Sequence, residues 1–429
     1  MKRRTVLLGA AGAAVALLAA KRPGTHGGAH DEYFLALQSA LRTADLMRPT
    51  LVIDRARFRQ NLGTLKGHLP KNKHFRIVAK SLPSVALLRE VRVATGTDRL
   101  MVFHQPHVNL LASEMTDAQM LLGKPMPAGA ARAFFAEHKA NAFEPLKQIE
   151  WLVDTPARIR EYRELAAGVG ANAARRLRLN LELDVGLHRG GFTRAQDVAE
   201  AIRAVNSENG ADGGATVFSG FMGYEAHAAK IPEALGGVKG ALAKAWAFYN
   251  ECTKAGQETL GAAWQPESLT LNIGGSNTYE YYDENSPGNE LAMGSGLVKP
   301  TDFDTAGLAY HVPAAFIATP VLKSLDHTAI PGLEGLAGLF RAWDPNTART
   351  FYIYGGYWLA NVESPPGLQR NGIWGHSTNQ DMLNGSAEVK LEIGDHVFLR
   401  PNQSEFVFLQ FGDIAVYDGG KIGERWPVF

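Results

Sequence analysis

The chain has 429 residues, 45% of them apolar, and its charges nearly cancel, with 44 Lys+Arg against 43 Asp+Glu. That length exceeds one ordinary hydrophobic core, so two domains are expected. A net charge of +1 leaves no basic excess for a nucleic-acid backbone, and the single cysteine, Cys252, excludes an internal disulfide and a cysteine-built zinc cage.

Residues 1–28 have the order of an export signal. Lys2-Arg3-Arg4 precede an apolar, small-residue run to Ala20, and polar KRPGTHGG follows. The paired Arg3-Arg4 resembles a twin-arginine signal, which implies a periplasmic or exported protein, with a cytoplasmic one as the alternative. The apolar run is short for a membrane span, so a membrane is a partner only if the segment stays uncleaved.

From Pro49 onward, strand-like runs alternate with helical stretches. The runs are Leu51–Asp54, Phe75–Ala79, Arg99–His104, Gln119–Gly123, Glu150–Asp154, Arg178–Val185, Phe218–Tyr224 and Leu269–Ile273. Eight strands alternating with helices predict a (β/α)8 barrel over residues 45–303, with a doubly wound open sheet as the alternative. In the sixth run Leu177, Leu179, Leu181, Leu183 and Val185 share one face. Arg178, Asn180, Glu182 and Asp184 share the other, which predicts a polar strip inside the barrel. After about Pro300 the pattern becomes β-rich, with Gly-Asp and Gly-Gly turns, and predicts an all-β domain over 304–429.

Four constellations carry chemistry. Lys80 closes the apolar run Phe75–Ala79, just before the turn Ser81-Leu82-Pro83-Ser84, and so falls at the carboxyl end of a strand, where α/β barrels keep their reactive groups. An amine there can attack a carbonyl, although a lysine reaching along the strand end to water is the competing reading. Asn272-Ile273-Gly274-Gly275-Ser276-Asn277-Thr278 follows the last run. Its glycines let backbone N–H groups approach an anion, and Ser276 and Thr278 add hydroxyls. Arg189, in Gly186–Phe192, and Gly223-Tyr224-Glu225-Ala226-His227 place polar groups at two further strand ends. There is no G-x-G-x-x-G after a strand, no Walker A loop and no G-x-S-x-G elbow. The spacing of His104 and His107 is too loose for a metal site.

RPTLVIDRARFRQN, RIVAKSLP, LELDVGLHRGGF, GYEAH, NIGGSNTYE, NELAMGSG and GDHVFLRPNQSE, in that order, resemble the D-threonine aldolase and D-serine dehydratase family. These are fold-type III pyridoxal 5′-phosphate (PLP) enzymes with an alanine racemase-like barrel. The resemblance runs from about Pro49 to Phe429. It implies that Lys80 holds PLP as an imine, that Arg189 lies near the pyridine nitrogen, and that Tyr224 lies beside the cofactor. Gly274, Gly275, Ser276 and Asn277 would cradle the phosphate. It also implies a homodimer.

This sequence departs from the family at three places. Val78 stands where the family has a histidine two residues before the lysine. After Pro401-Asn402 come Gln403-Ser404-Glu405, where the family has a metal-binding His and then Cys or Asp. Gln403 and Glu405 are oxygen ligands, suited to magnesium, manganese or calcium rather than zinc, so the metal has changed or is gone. GHSTNQDMLNG lacks the family's Glu-His. The expected activity is a PLP-dependent lyase on a D-amino acid, with a β-hydroxy one foremost. Lys80, Tyr224 and His227 are the candidate bases, and Glu405 is the group that positions the hydroxyl. An amino-acid racemase and a non-catalytic PLP or amino-acid binding protein are the alternatives.

Overall fold

The computed structural model describes residues 22–208, 214–329, 332, 334–372 and 375–429. Most of the expected export signal therefore lies outside the described residues. Among those residues no helix is long and apolar enough to cross a membrane. The chain divides into two compact units. One holds residues up to Arg55, Ala315–Asn402 and Ile414–Arg425. The other holds Ala56–Ala314, Gln403–Asp413 and Trp426–Phe429.

The first strand, β1 (Thr50–Asp54), belongs to the first unit. The barrel of the second unit is built from β2 (His74–Val78), β3 (Arg99–Val102), β4 (Gln119–Leu122), β5 (Ile149–Val153), β6 (Leu177–Leu183), β7 (Thr216–Gly223), β8 (Thr270–Ile273) and β9 (Glu290–Met293). All eight pair in parallel, and β9 closes on β2. The expected barrel is present, but its membership shifts by one. Leu51–Asp54 was expected as its first strand and is not in it, while Glu290–Met293 is the strand that closes it. β1 is buried along its whole length, as a barrel strand would be, so composition cannot tell the two cases apart. Only its partners do. It pairs antiparallel with β10 (Ala315–Leu325) and parallel with β16 (Asp413–Asp418).

The barrel strands are short apolar runs because both faces are covered. On β6 the leucines are buried outward, and Arg178 and Asn180 point into the barrel. There they bind Glu150 of β5, Arg178 at 3.0 Å and Asn180 at 3.1 Å, and Ser219 and Thr270 complete its shell. A second buried carboxylate, Glu290 of β9, pairs with Arg76 of β2 and Arg99 of β3. Burial alone would raise Glu290, but the two guanidiniums outweigh it and hold the carboxyl below its usual range. The polar strip foreseen inside the barrel is, over this half, a structural network and not a ligand site.

The first unit is a nine-stranded sheet, with order β13 (Gln369–Arg370), β14 (Gln380–Gly385), β11 (Arg349–Tyr354), β10, β1, β16, β17 (Lys421–Pro427). Strands β12 (Ala360–Ser364) and β15 (His396–Pro401) join it through β10. Asp31 caps the helix Glu32–Thr43 by accepting the Phe34 N–H at 2.9 Å. That helix buries Phe34, Leu37 and Leu41 against Val52, Phe316, Phe398 and Ala415. Cutting Phe34 back to alanine in such a core costs about 3–5 kcal/mol. Gly419 and Gly420, both at positive φ, turn β16 into β17 as a tight hairpin needs. One stretch expected as β-rich is helical: Ser404–Phe408 forms a single short helix of the barrel unit.

Candidate cofactor and active site

A cavity of about 90 Å³ opens at the carboxyl ends of the barrel strands. Lys80, Arg189, Tyr224, Gly274, Gly275, Ser276 and Glu405 all line it. Lys80 sits in the turn Ala79–Ser81 that follows β2, so it is where a barrel keeps its chemistry. Its Nζ lies 4.6 Å from the centre of the Phe103 ring and 3.1 Å from Glu405 Oε1. Lys80 is therefore not an isolated amine at a dry strand end. Its side chain is 40% exposed and shares a carboxylate. Glu405 Oε2 accepts from Ser81 Oγ at 3.3 Å, and Ser81 Oγ accepts from Ser295 Oγ at 3.0 Å, so the carboxylate is held from two sides.

The loop after β8 has the geometry of an anion cradle, but not through the N–H groups expected of it. The Gly274 N–H donates to Glu225 at 3.2 Å and the Gly275 N–H to Thr278 Oγ1 at 3.1 Å. The N–H groups of Ser276 and Asn277 have no partner among the described residues, so they are the free donors. The glycines serve close approach instead. A Cβ on Gly275 would stand 2.5 Å from Tyr224 Cε2, and one on Gly274, at φ +84°, 2.9 Å from Leu291. The Ser276 hydroxyl accepts the Gly296 N–H at 3.1 Å, which ties this loop to the one after β9. The Asn277 amide oxygen accepts from Thr305 Oγ1 at 2.9 Å, which leaves its side-chain NH2 and its backbone N–H as donors.

Arg189 lays its guanidinium over the Tyr224 ring, 5.6 Å from its centre, and makes no hydrogen bond or ion pair among the described residues. Burial, and then Glu225, push the Tyr224 phenol up to about 12. Glu182, further along β6 than Asn180, is pushed up to about 7 by burial and by Asp154. His227 is not brought to the cavity. It lines the outer opening, packs on Gly186, and burial lowers its pKa.

Gln403 also lies in the outer opening, with its amide donating to Asp302 at 3.0 Å. Its expected partner Glu405 is taken by Lys80 and Ser81. No group of three or more His, Cys, Asp or Glu among the described residues could hold a metal. The Gln403–Glu405 pair does not fit a divalent ion as it stands. His104 and His107 do meet, with ring centres 4.9 Å apart, but gather no third ligand.

Two groups at this site were missed by sequence reasoning. Glu225 was noticed only as one polar residue in GYEAH, and nothing in its spacing says that it points under the β8 loop. Phe103 follows an apolar strand and looks like core. The residues present fit a phosphorylated pyridine aldehyde: a lysine, two free backbone N–H groups, apolar walls from Val78, Met101 and Met222, and an unpaired arginine.

A closed parallel barrel with a lysine after its first strand and an anion turn after its seventh defines the fold-type III architecture of PLP enzymes. The profile of the family "Alanine racemase, N-terminal domain" matches residues 53–298, and the chain belongs to that family. Three solved structures share the fold. D-threonine aldolase from Filomicrobium marinum is 16% identical with a TM-score of 0.66, covering 88% of this chain and 94% of its own. D-threo-3-hydroxyaspartate dehydratase from Delftia sp. HT23 is 15% identical with a TM-score of 0.64, covering 89% and 97%. Alanine racemase from Clostridium difficile 630 is 14% identical with a TM-score of 0.63, covering 88% and 97%. No curated protein matches the chain. At these identities the likeness is one of fold.

Proposed function

We propose that the chain is a PLP-dependent lyase acting on a D-amino acid that carries a β-hydroxyl, in a homodimer. The observation that carries this reading is the Lys80–Glu405 pair, 3.1 Å apart, lining one cavity with Ser276, whose N–H is free. Lys80, Arg189 and the β8 turn would hold the cofactor. When bound, PLP supplies an electron sink for the carbanion left when a bond to Cα breaks.

The chain's own residues do the proton work. Glu405, as its carboxylate, can hold a substrate β-hydroxyl and take its proton. Aldol cleavage needs that transfer, and dehydration needs instead a proton taken from Cα by Lys80. Glu405 thus stands where other members of the resembled family place a metal-held hydroxyl. Ser81 fixes its second oxygen, so it keeps one orientation through the reaction. Phe103 packs its ring against the Lys80 ammonium, 4.6 Å from ring centre to Nζ.

Racemisation would need a second base facing Lys80. Tyr224, held up to about 12, is a poor base at neutral pH, which favours the lyase over the racemase. The test is the absorption spectrum of the purified protein beside Lys80→Ala, followed by assay of D-threonine, D-serine and D-3-hydroxyaspartate. A near-visible band that borohydride bleaches, absent in the variant, with release of an aldehyde or a keto acid, is expected. No band after added PLP, or no turnover of any of the three, would refute the reading. Loss of optical rotation from alanine with no such product would turn it to the racemase.

A further inference from the structure

Glu225 is the one charged group at the phosphate turn that the chemistry above does not use. It stands two residues past the end of β7, is fully buried, and lies under the turn, outside the lining of the cavity. Its Oε1 is 2.6 Å from Thr278 Oγ1 and its Oε2 accepts the Gly274 N–H at 3.2 Å. Thr278 Oγ1 also accepts the Gly275 N–H at 3.1 Å and lies 3.3 Å from the Gly275 carbonyl. The ionisable groups around Glu225 are phenols: Tyr224 beside it, Tyr282 beyond the turn, and Tyr249 from the helix Gly237–Leu260. No cation pairs with it among the described residues, and burial raises its carboxyl above the usual range.

Two arrangements of hydrogens satisfy Glu225, Thr278 and the two glycine N–H groups. With Glu225 ionised, the Thr278 hydroxyl donates to Oε1. With Glu225 protonated, the Oε1–H donates to Thr278 Oγ1, and the threonine proton swings to the Gly275 carbonyl. Both keep the Gly274 and Gly275 N–H groups engaged, so the turn holds its shape in either state. What changes is the charge behind it. A buried anion under the turn opposes a phosphate dianion arriving at the N–H groups of Ser276 and Asn277 in front, and protonation removes that opposition.

We infer that Glu225 is a proton-coupled positioning residue of the phosphate cradle: it fixes the turn from beneath and takes up one proton as a phosphate monoester dianion binds in front. This rests on the cofactor reading above. The substrate side of the site does not depend on it.

The probe is pyridoxine 5′-phosphate, which carries the phosphate but has no aldehyde to react with Lys80. Its affinity for the intact protein is measured between pH 7 and 9, above the second phosphate ionisation near 6. Calorimetry in two buffers of different ionisation enthalpy counts the protons taken up. In the parent, affinity should fall by up to tenfold per pH unit, with about one proton taken up. Glu225→Gln keeps an oxygen for the Gly274 N–H and an N–H for Thr278, but has no charge to lose. Its affinity should fall less steeply than the parent's over the same range and equal or exceed it at pH 9, with about one proton fewer taken up, because the ligand's own ring ionisation is common to both. Glu225→Ala removes the support as well and should bind weakly at every pH. Equal slopes and equal proton counts in parent and Glu225→Gln would overturn the role of Glu225 and leave the cofactor reading standing. No binding to the parent at any pH would overturn both.

Discussion

His311 offers a quantitative test of how the barrel unit responds to acid. Its ring is 2% exposed, and Nε2 lies 2.6 Å from the hydroxyl of Tyr279, which opens the turn after the phosphate cradle. Burial, with Lys299 and His68 nearby, brings its pKa from the ordinary 6.5 to about 4. Above pH 6.5 the ring is neutral in both folded and unfolded chains and contributes no pH dependence. As pH falls below 6.5 the unfolded chain binds the proton first, so stability drops until pH reaches the folded value near 4. Linkage gives a loss on the order of 1 kcal/mol at pH 5.5 and of 2–3 kcal/mol at pH 4.5. In His311→Gln the amide can still bond Tyr279 but cannot titrate. Urea unfolding of both proteins at pH 7.5, 5.5 and 4.5 isolates this one group, because the other buried histidines cancel in the difference. The variant should be the less stable protein at pH 7.5 and should close the gap by roughly 2–3 kcal/mol at pH 4.5. Parallel pH profiles would refute the assignment of a buried neutral His311.

Two further outcomes follow from the site. Glu405→Gln should lower turnover by about 10²- to 10⁴-fold with a smaller change in KM, the cost of losing a placed base, and dialysis against EDTA should leave the parent within a factor of two. Full activity in the variant, or a parent revived only by added metal, would show that Glu405 does not act as the base. Gly275→Ala sets a methyl 2.5 Å from the Tyr224 ring, so the turn or the ring must move. Cofactor affinity should fall at least tenfold, about 1.4 kcal/mol, by fluorescence titration; unchanged affinity would mean the ring yields freely.

Much of this site is local in sequence, and that part was legible. Lys80 ends an apolar strand, Gly274-Gly275 follow another, and Tyr224 ends a third, so the barrel rhythm alone points them at one opening. What the sequence hid depends on pairing. β1 and the barrel strands share one composition, and only hydrogen-bond partners far along the chain separate them. The segment around Glu405 looked like β structure because Phe406, Val407 and Phe408 are apolar and bulky. Its short helix exists because Val407 and Phe408 are buried. The glycine N–H groups were credited with the anion because glycine lets a backbone come close. Glu225 and Thr278 had claimed those groups from behind, and no spacing rule announces a claim made from the far side of a turn.

The placement of β1 sets a time as well as a shape. Leu51, Val52 and Ile53 are fully buried, and both edges of their strand are satisfied by residues that a ribosome adds much later. The antiparallel partner at Ala315–Ala318 lies about 260 residues downstream, so at about 5–20 residues per second this strand waits roughly 13 to 50 s before it can pair. For that interval the nascent chain carries a sticky, unpaired apolar ribbon while the barrel is still being made. Expression at high yield should therefore depend on how well something shields residues 50–54, a demand that the finished fold no longer reveals.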